Sequence, residues 1–359
     1  MPALPASSER NRADHLILPL LRGEPIPDAP ADLWIATARS LVNEGLAGLA
    51  LTILTQRDLM PALPPIAWAM LEAERGRVRA EQARLREGLA ALQQVLARAG
   101  TEFFLHKGAA IAPLLYERAE DRPMVDVDIV VRPRDWEKVC EALIQAGYRF
   151  PEGSGARFWR ENYYNVPIRS PKDPPADLDL HWSLAQEGRY TVDTDELFGR
   201  LVDCPPPGSG LRRLGNEDLL LSLFLHLAYH YFEARLLWLY DMKLLIAKLP
   251  LDWEALFDRA RSRGLRTVLA LNLVYLEKVF PGSVPRPALE RAGIGAVRSL
   301  LLAPLRSADP RHLFAGEDRR ARQFLIGLLV IDRPAAAAGF AAEKIARSVR
   351  WAGRRPFRR

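Results

Sequence analysis

The sequence is poor in cysteine and lacks long apolar runs. Its two cysteines, Cys140 and Cys204, have no metal-like spacing, and so small a number argues against a disulfide framework and for a reducing compartment. The longest apolar stretches, 219–232 and 324–331, are too short or too interrupted to span a bilayer. The N-terminus lacks the basic start and the apolar stretch of a signal peptide. We therefore predict a cytoplasmic protein with no transmembrane segment.

Lysine is also scarce, and the basic charge is uneven. The 359 residues include 43 arginines but seven lysines, and the net charge is +6. Six of the arginines lie in residues 347–359, which contain no acid, so the rest of the chain is near neutral. Two interpretations of the basic tail, bounded here as 341–359, stay open. It is either a disordered, solubilising segment or a contact surface for RNA, an anionic membrane surface or an acidic partner.

Hydrophobic periodicity divides the chain into helical and mixed regions. The first and last parts place apolar residues at the three- and four-residue spacing of amphipathic helices. Between them, short apolar runs alternate with helical patterns, which indicates a sheet-containing core. The predicted regions are an N-terminal helical region (1–100), an α/β core (101–205), a C-terminal helical domain (206–340) and the basic tail. The predicted fold class is α+β, a small mixed β-sheet core flanked by helices.

Two carboxylates interrupt an otherwise apolar run in the central region. The run is VDVDIVV, residues 125–131, and its acids are Asp126 and Asp128. Residues two apart face the same way on a strand, and two adjacent like charges call for a cation between them. Hard oxygen ligands of this kind suit Mg²⁺ or Mn²⁺. Taken alone, the motif leaves two interpretations open, a metal site and the polar outer face of an edge strand.

The segments on either side of this run favour the metal site. In HKGAA, residues 106–110, a predicted strand passes through Lys107 and Gly108 into a helix, whose first N–H groups would face a phosphate. Arg122 lies close enough to the acid pair to reach a phosphate or to pair with a carboxylate. The other interpretation of HKGAA is an ordinary tight strand–helix turn.

A second acidic strand follows about fifty residues later. In DLDLHW, residues 177–182, the side chains of Asp177, Asp179 and His181 would share one strand face. A third carboxylate from a neighbouring strand is what two-metal phosphoryl or nucleotidyl transfer requires, as a metal ligand and as a base for the attacking hydroxyl. His181 would either orient Asp179 or contact phosphate, or be a hydrogen-bonded core histidine. A solvated strand face is the competing interpretation of the segment.

The C-terminal helical region adds three polar residues to the candidates. His226 and His230 are four apart and therefore lie on one helix face. A zinc site lacks an obvious third ligand, so we predict a packed or substrate-lining pair that faces the sheet. Asp241 follows Trp238 by one turn. It is predicted to be a buried acid paired with an arginine or a histidine, with contact to substrate as the alternative.

In order and spacing, four segments resemble the bacterial nucleotidyltransferase-like family of the polymerase-β superfold. They are FFLHKGAAIAPLLY, RPMVDVDIVVRPRDWEKVCEALIQAGY, DLDLHWSL and LHLAYHYFEARLLWLYDMKLLI, which together cover about residues 100–245. The resemblance implies that Asp126 and Asp128 are the metal-binding acid pair. It also implies that Asp179 is the third catalytic and metal-binding carboxylate, with Asp177 as the alternate.

The same resemblance implies a nucleotide site at the Lys-Gly turn, formed by Lys107, Gly108, Ala109 and Arg122. The superfamily pattern has Gly-Ser or Gly-Gly at this turn, whereas Ala109 follows the glycine here, so no hydroxyl is available to the phosphates.

The activity that the resemblance implies is Mg²⁺- or Mn²⁺-dependent nucleotidyl transfer. An NMP would pass from an NTP, with ATP expected, to an acceptor hydroxyl, and pyrophosphate would be released. The acceptor stays open among a small molecule, a sugar, a peptide and a protein. The alternative function is a catalytically inactive nucleotide-binding module of the same fold, with a regulatory or antitoxin-like role.

Overall fold

Helices at both ends of the chain enclose a small mixed β-sheet, which confirms the predicted α+β class. The computed structural model describes residues 7–60, 63–151, 156–172, 176–186, 188–206, 208–307, 309 and 319–352.

The N-terminal region consists of four helices, α1 (Ser7–Arg22), α2 (Ala31–Glu44), α3 (Ala47–Gln56) and α4 (Pro65–Arg98). Pro65 lies in the first turn of α4. The N–H groups of that turn have no partner within the helix, so the missing N–H of proline costs no hydrogen bond. Apolar side chains at helical spacing, Leu85 and Leu96 among them, form the buried face of α4. This helix approaches the central region closely because residue 88 is glycine. A Cβ at Gly88 would lie 2.5 Å from the Cβ of Ala176.

The central region forms one six-stranded sheet. Its strands are β1 (Phe103–Leu105), β2 (Val127–Val131), β3 (Asn165–Ile168), β4 (Leu178–His181), β5 (Val202–Asp203) and β6 (Arg212–Arg213). The helices between them are α5 (Lys107–Leu115), α6 (Trp136–Gln145), α7 (Ala156–Asn162) and α8 (Thr194–Phe198). The strand order is β3-β4-β2-β1-β6-β5. The β2–β4 and β1–β6 pairs are parallel and the other pairs are antiparallel.

The central strand β2 is shorter than its sequence predicts. The apolar run predicts one strand that carries both Asp126 and Asp128, but β2 begins at Val127, whose N–H makes the first bond to the chain before β4, at 3.0 Å. Val125 is 68% exposed. The prediction is therefore wrong for Asp126, because the valine before it faces solvent and the chain bends before it joins the sheet.

The predicted boundary between the core and the C-terminal region falls inside a hairpin. Strands β5 and β6 pair across residues 204–210, and β6 also pairs with β1. One edge of the sheet is therefore made by residues on both sides of position 205. The division of the chain into domains stays a prediction.

The C-terminal region is helical, as predicted. Its helices are α9 (Asn216–Tyr229), α10 (Leu236–Lys248), α11 (Trp253–Arg263), α12 (Arg266–Val279), α13 (Arg286–Arg291), α14 (Ala296–Leu301), α15 (Ala303–Ser307), α16 (Arg319–Val330) and α17 (Pro334–Ala352). Helix α9 is apolar around most of its circumference and is buried between α10, α11 and α12. Within the described residues, no helix combines the length and the apolar character needed to cross a bilayer.

The basic tail lies partly beyond the described residues. Helix α17 extends to Ala352, so residues 341–352 continue a helix. Residues 353–359 and the side chains of Arg347 and Arg350 lie outside the described part. Contact of this tail with RNA or an anionic surface stays a prediction.

Candidate active site

Two acids lie side by side at the centre of the sheet. Asp128 in β2 and Asp179 in β4 are register partners in the parallel ladder. Nε2 of His181 lies 3.1 Å from Oδ1 of Asp128 and 3.0 Å from Oδ2 of Asp179. One donor atom from each of the three residues lies within 4.8 Å of the other two, a spacing at which they can ligate one metal ion. We call these three residues the Asp–Asp–His group.

The ammonium group of Lys107 lies among these donor atoms. Its Nζ is 2.6 Å from Oδ1 of Asp128, 3.6 Å from Oδ2 of Asp179 and 3.4 Å from Nε2 of His181. Lys107 is the first residue of α5 and has a φ of +43°, a region that side-chain-bearing residues seldom adopt. The lysine supplies the positive charge that two adjacent carboxylates need.

Mutual interactions favour the charged forms of the four groups. Burial would raise the pKa of Asp128 and Asp179, but Lys107 and His181 lower both pKa values below the ordinary value. Burial would lower the pKa of His181, yet the charge of Asp179 and the hydrogen bonds to both acids raise it. The pKa of Lys107 is raised for the same reason, since the two carboxylates outweigh its burial. The result is a compact network in which Lys107 and His181 lie between the two carboxylates.

Asp126 and Asp177 lie outside the Asp–Asp–His group. Each immediately precedes a strand. Burial, followed by the charge of Asp128, raises the pKa of Asp126 to about 7. One carboxylate oxygen of Asp177 is buried without a hydrogen-bond partner among the described residues. The two strand acids that the structure brings together are therefore Asp128 and Asp179, and metal ligation by Asp126 stays a prediction.

The predicted phosphate turn is the N-terminus of α5. The N-cap residue, His106, makes no side-chain hydrogen bond to the helix, and the first N–H groups of a helix have no partner within it. A Cβ on Gly108 would lie 2.6 Å from Nη1 of Arg122, so this glycine allows the helix to pack against the arginine. Ala109 is buried as well. A contact of Gly108 or Ala109 with phosphate would therefore be made by backbone N–H groups.

Arg122 and Asp241 form a buried ion pair. Nη2 of Arg122 lies 2.8 Å from Oδ2 of Asp241, and the two side chains are 9% and 2% exposed. Nη1 of Arg122 donates to the carbonyl of Pro123, and the hydroxyl of Tyr116 donates to Asp241 at 2.7 Å. In this arrangement the two charges satisfy each other, and a nucleotide contact of Arg122 and a substrate contact of Asp241 stay predictions. Their pairing agrees with the other interpretation, in which Asp241 is a buried acid paired with an arginine.

His226 and His230 contact each other and Trp238. The ring centroids are 4.7 Å apart for the two histidines, and Trp238 lies 4.6 Å from His226 and 4.9 Å from His230. Burial and the positive charge of Lys107 lower the pKa of His226 well below its ordinary value. The two rings therefore pack against each other and Trp238, and neither belongs to the Asp–Asp–His group. A role of the pair in lining a substrate site stays a prediction.

Protonation of His226 is expected to weaken the fold as the pH falls. Because the pKa of His226 is lowered in the folded protein, the unfolded chain binds the additional proton below about pH 6.5. Relative to His226→Asn, the wild-type protein should lose stability between about pH 6.5 and 5, by at most about 1.4 kcal/mol per pH unit. Urea unfolding of both proteins across this pH range measures the difference between their free energies of unfolding. The contributions of the other titrating groups are common to both proteins and cancel in that difference. A difference that does not vary with pH would contradict the assignment.

Three residues of the site were missed by sequence reasoning. Nδ2 of Asn165 donates to both carboxylate oxygens of Asp179, at 2.8 and 2.9 Å. The rings of His106 and Tyr164 lie 5.5 and 6.0 Å from the ring of His181. The strand pattern around Asn165 is visible in the sequence, but its antiparallel pairing with β4 is what brings Asn165 and Tyr164 to the acids. His106 follows β1, and its N–H donates to the carbonyl of Asp128 at 3.0 Å.

Comparison with known families agrees with this geometry. The model of a family described as uncharacterised nucleotidyltransferase matches residues 30–281. The matched segment is more than half of the chain and includes the whole sheet, the Asp–Asp–His group and the two helices that carry His226 and Asp241. A search of curated proteins finds no match to the chain.

Proposed function

Because the chain belongs to the uncharacterised nucleotidyltransferase family, we propose that it moves a nucleoside monophosphate from an NTP to an acceptor hydroxyl with release of pyrophosphate. The observation that carries the proposal is the register pairing of Asp128 with Asp179, which sets two carboxylates and the His181 imidazole within 4.8 Å of one another. ATP is the expected nucleotide, and the cytoplasm is the expected compartment.

The donor set fits a divalent cation. Two carboxylates from adjacent strands suit Mg²⁺, and the imidazole of His181 makes the set acceptable to Mn²⁺ as well. Bound there, the ion would neutralise charge on the phosphates and polarise the reacting oxygens. Asn165 holds both oxygens of Asp179 and so fixes the orientation of that carboxylate. Asp126, two residues before Asp128, is the expected additional ligand.

In this proposal the ammonium group of Lys107 contacts the acids in the metal-free protein and the nucleotide phosphates in the metal-bound protein. Without metal, its ammonium group stabilises the acids at 2.6 and 3.6 Å. When a cation takes over that role, the long flexible side chain becomes free to contact the phosphates of the nucleotide. The N-terminus of α5, from which Lys107 projects, offers its free N–H groups to the same phosphates. Positioning and charge neutralisation would then supply most of the rate enhancement.

The catalytically inactive alternative has one observation in its favour. Lys107 bonds to Asp128 and lies 3.6 Å from Asp179, so a side chain of the protein itself supplies the positive charge that the two acids need. A protein that kept this network on binding a nucleotide would sense the nucleotide without transferring it.

Binding and turnover of NTPs separate the two functions. Purified protein is titrated with ATP, CTP, GTP and UTP in Mg²⁺, Mn²⁺ or EDTA, and pyrophosphate release is followed in the presence of a mixture of small metabolites as acceptors. We expect metal-dependent binding of at least one NTP and release of pyrophosphate. Binding without release would favour the inactive module. The absence of binding to all four NTPs, by a protein that unfolds cooperatively, would contradict both.

A further inference from the structure

A cavity of about 250 Å³ opens beside Tyr164, the residue that precedes β3. It lies between the chain that leads into β3, the loop that follows β4, and the C-terminal helices. Four tyrosines and an arginine are among the residues that line it: Tyr163, Tyr164, Tyr229, Tyr231 and Arg189. The volume is smaller than that of pockets that hold drug-sized ligands, which are about 300–1,000 Å³. The cavity therefore suits a molecule of about the size of a monosaccharide.

Tyr164 connects this cavity to the candidate active site. Its ring lies 6.0 Å from the ring of His181 and 5.4 Å from that of Tyr229. The next residue, Asn165, holds the carboxylate of Asp179. One residue, Tyr164, therefore separates the cavity from the Asp–Asp–His group.

The cavity and the phosphate turn lie on opposite sides of the acids. In the order β3-β4-β2-β1, the acid-bearing strands β4 and β2 stand between β3, which follows Tyr164, and β1, which leads into Lys107 and α5. In nucleotidyl transfer the attacking and leaving oxygens are roughly in line at the phosphorus, as in phosphoryl transfer. If pyrophosphate leaves on the side of α5, the attacking hydroxyl approaches from the side of the cavity.

Arg189 gives the cavity an unpaired positive charge. Its guanidinium lies over the ring of Phe340, 4.4 Å from the ring centroid, and its Nε is buried without a hydrogen-bond partner among the described residues. Arg319, which also lines the cavity, differs because it pairs with Glu233 at 2.8 Å. A planar guanidinium supported by an aromatic ring is suited to bind a carboxylate or a phosphate through two parallel hydrogen bonds.

The tyrosines add uncharged hydrogen-bonding groups. The hydroxyls of Tyr163, Tyr164, Tyr229 and Tyr231 have no hydrogen-bond partner within the described part of the chain, and the residues Tyr163 and Tyr229 are 39% and 45% exposed. Each can donate and accept one or more hydrogen bonds. Phenol rings and hydroxyls around a small cavity offer partners to several ligand hydroxyls at once.

We propose that this cavity is the acceptor site, and that the acceptor is a polyhydroxylated molecule of monosaccharide size with one carboxylate or phosphate group. The inference rests on the proposed nucleotidyl transfer. One acceptor hydroxyl would form the new O–P bond to the α-phosphorus as the bond from that phosphorus to the bridging α–β oxygen breaks. The hydroxyl proton passes to a carboxylate of the acid pair and then to solvent, and pyrophosphate leaves with the electrons of the broken bond.

Four sugars that differ in charge test the assignment. Glucuronate, glucose 6-phosphate, glucose and glucosamine are titrated into the protein by calorimetry, without NTP and without metal. At least one of the two anionic sugars should bind tenfold or more tightly than glucose, and the stronger of the two identifies the preferred anion. Glucosamine should bind no more tightly than glucose. Tightest binding of glucosamine, or no binding of either anion, would overturn the proposal.

Substitutions at Arg189 locate the binding site. In Arg189→Gln the affinity for the anionic sugar should exceed that for glucose by less than threefold. Arg189→Lys keeps the positive charge but loses the planar guanidinium, so its affinity ratio should lie between those of the wild type and Arg189→Gln. The control is Arg286→Gln, which removes an exposed arginine of α13 that pairs with Glu290. It should bind as the wild type does. Unchanged anion binding in folded Arg189→Gln would refute the site. Because NTP and metal are absent, this outcome is independent of whether the protein transfers nucleotides.

Discussion

Asp128→Asn is expected to lower the rate of pyrophosphate release by roughly a thousandfold or more. The substitution keeps the shape of the side chain and removes the charge that, in the proposed mechanism, holds the cation against the α-phosphate. A bound metal contributes several kcal/mol to transition-state stabilisation, and about 4 kcal/mol corresponds to three orders of magnitude. Asp179→Asn should have a comparable effect, since the two carboxylates are register partners and share His181.

Asp177→Asn is the matched control for both acid variants. Asp177 is also an aspartate beside β4, but its carboxylate lies outside the Asp–Asp–His group. We expect it to retain the rate to within about fivefold, which is roughly 1 kcal/mol. Thermal unfolding of each variant separates loss of charge from loss of fold. Equal losses in Asp177→Asn and Asp128→Asn would contradict the assignment of Asp128 and Asp179 as the metal-binding pair.

Arg122→Met is expected to lower the free energy of unfolding by about 3–5 kcal/mol. It leaves the carboxylate of Asp241 buried and without its guanidinium, with Tyr116 as its remaining hydrogen-bond donor among the groups described above. The pair joins the segment before β2 to α10. Removing one partner should therefore loosen the contact between the sheet and the C-terminal helices. Chemical denaturation measures the loss.

Two further variants distinguish a buried charge from lost packing. In Arg122→Met/Asp241→Leu no charge is left unpaired, and this double variant should recover much of the stability that the single variant loses. Arg79→Gln breaks an ion pair with Glu120 in which the arginine is 61% exposed, and it should cost much less stability than Arg122→Met because solvent screens the exposed charge. A double variant less stable than Arg122→Met would indicate that packing rather than unpaired charge dominates.

The chemistry of the site could be predicted from the sequence because it depends on short local patterns. Acids spaced by two residues in apolar runs located Asp128 and Asp179, and a strand–helix turn located Lys107. Each of these patterns spans only a few residues, so the linear sequence displays it. The α+β class follows equally from periodicity, since helical patterns flank short apolar runs.

Pairings between distant segments could not be predicted in the same way. Arg122 and Asp241 are 119 positions apart, and the sequence around each residue does not identify the other as its partner. Asp126 lies outside β2 because Val125 is exposed to solvent. The apolar sequence 125–131 gives no sign of that exposure. Asn165 becomes part of the site through the antiparallel pairing of β3 with β4. Each of these features depends on tertiary packing, which cannot be read from the spacing of residues along one sequence.

The position of the cavity wall bears on how new specificities could evolve in proteins of this kind. Arg319, Gln323 and Lys344 line the cavity, yet all three lie after residue 281, where the family match ends. The strands that carry the acids and the helices that close this side of the cavity are thus separate stretches of the chain. In the proposed function, a lineage could exchange or remodel the C-terminal helices, and so change the acceptor, while the strands that carry the acids stay unchanged.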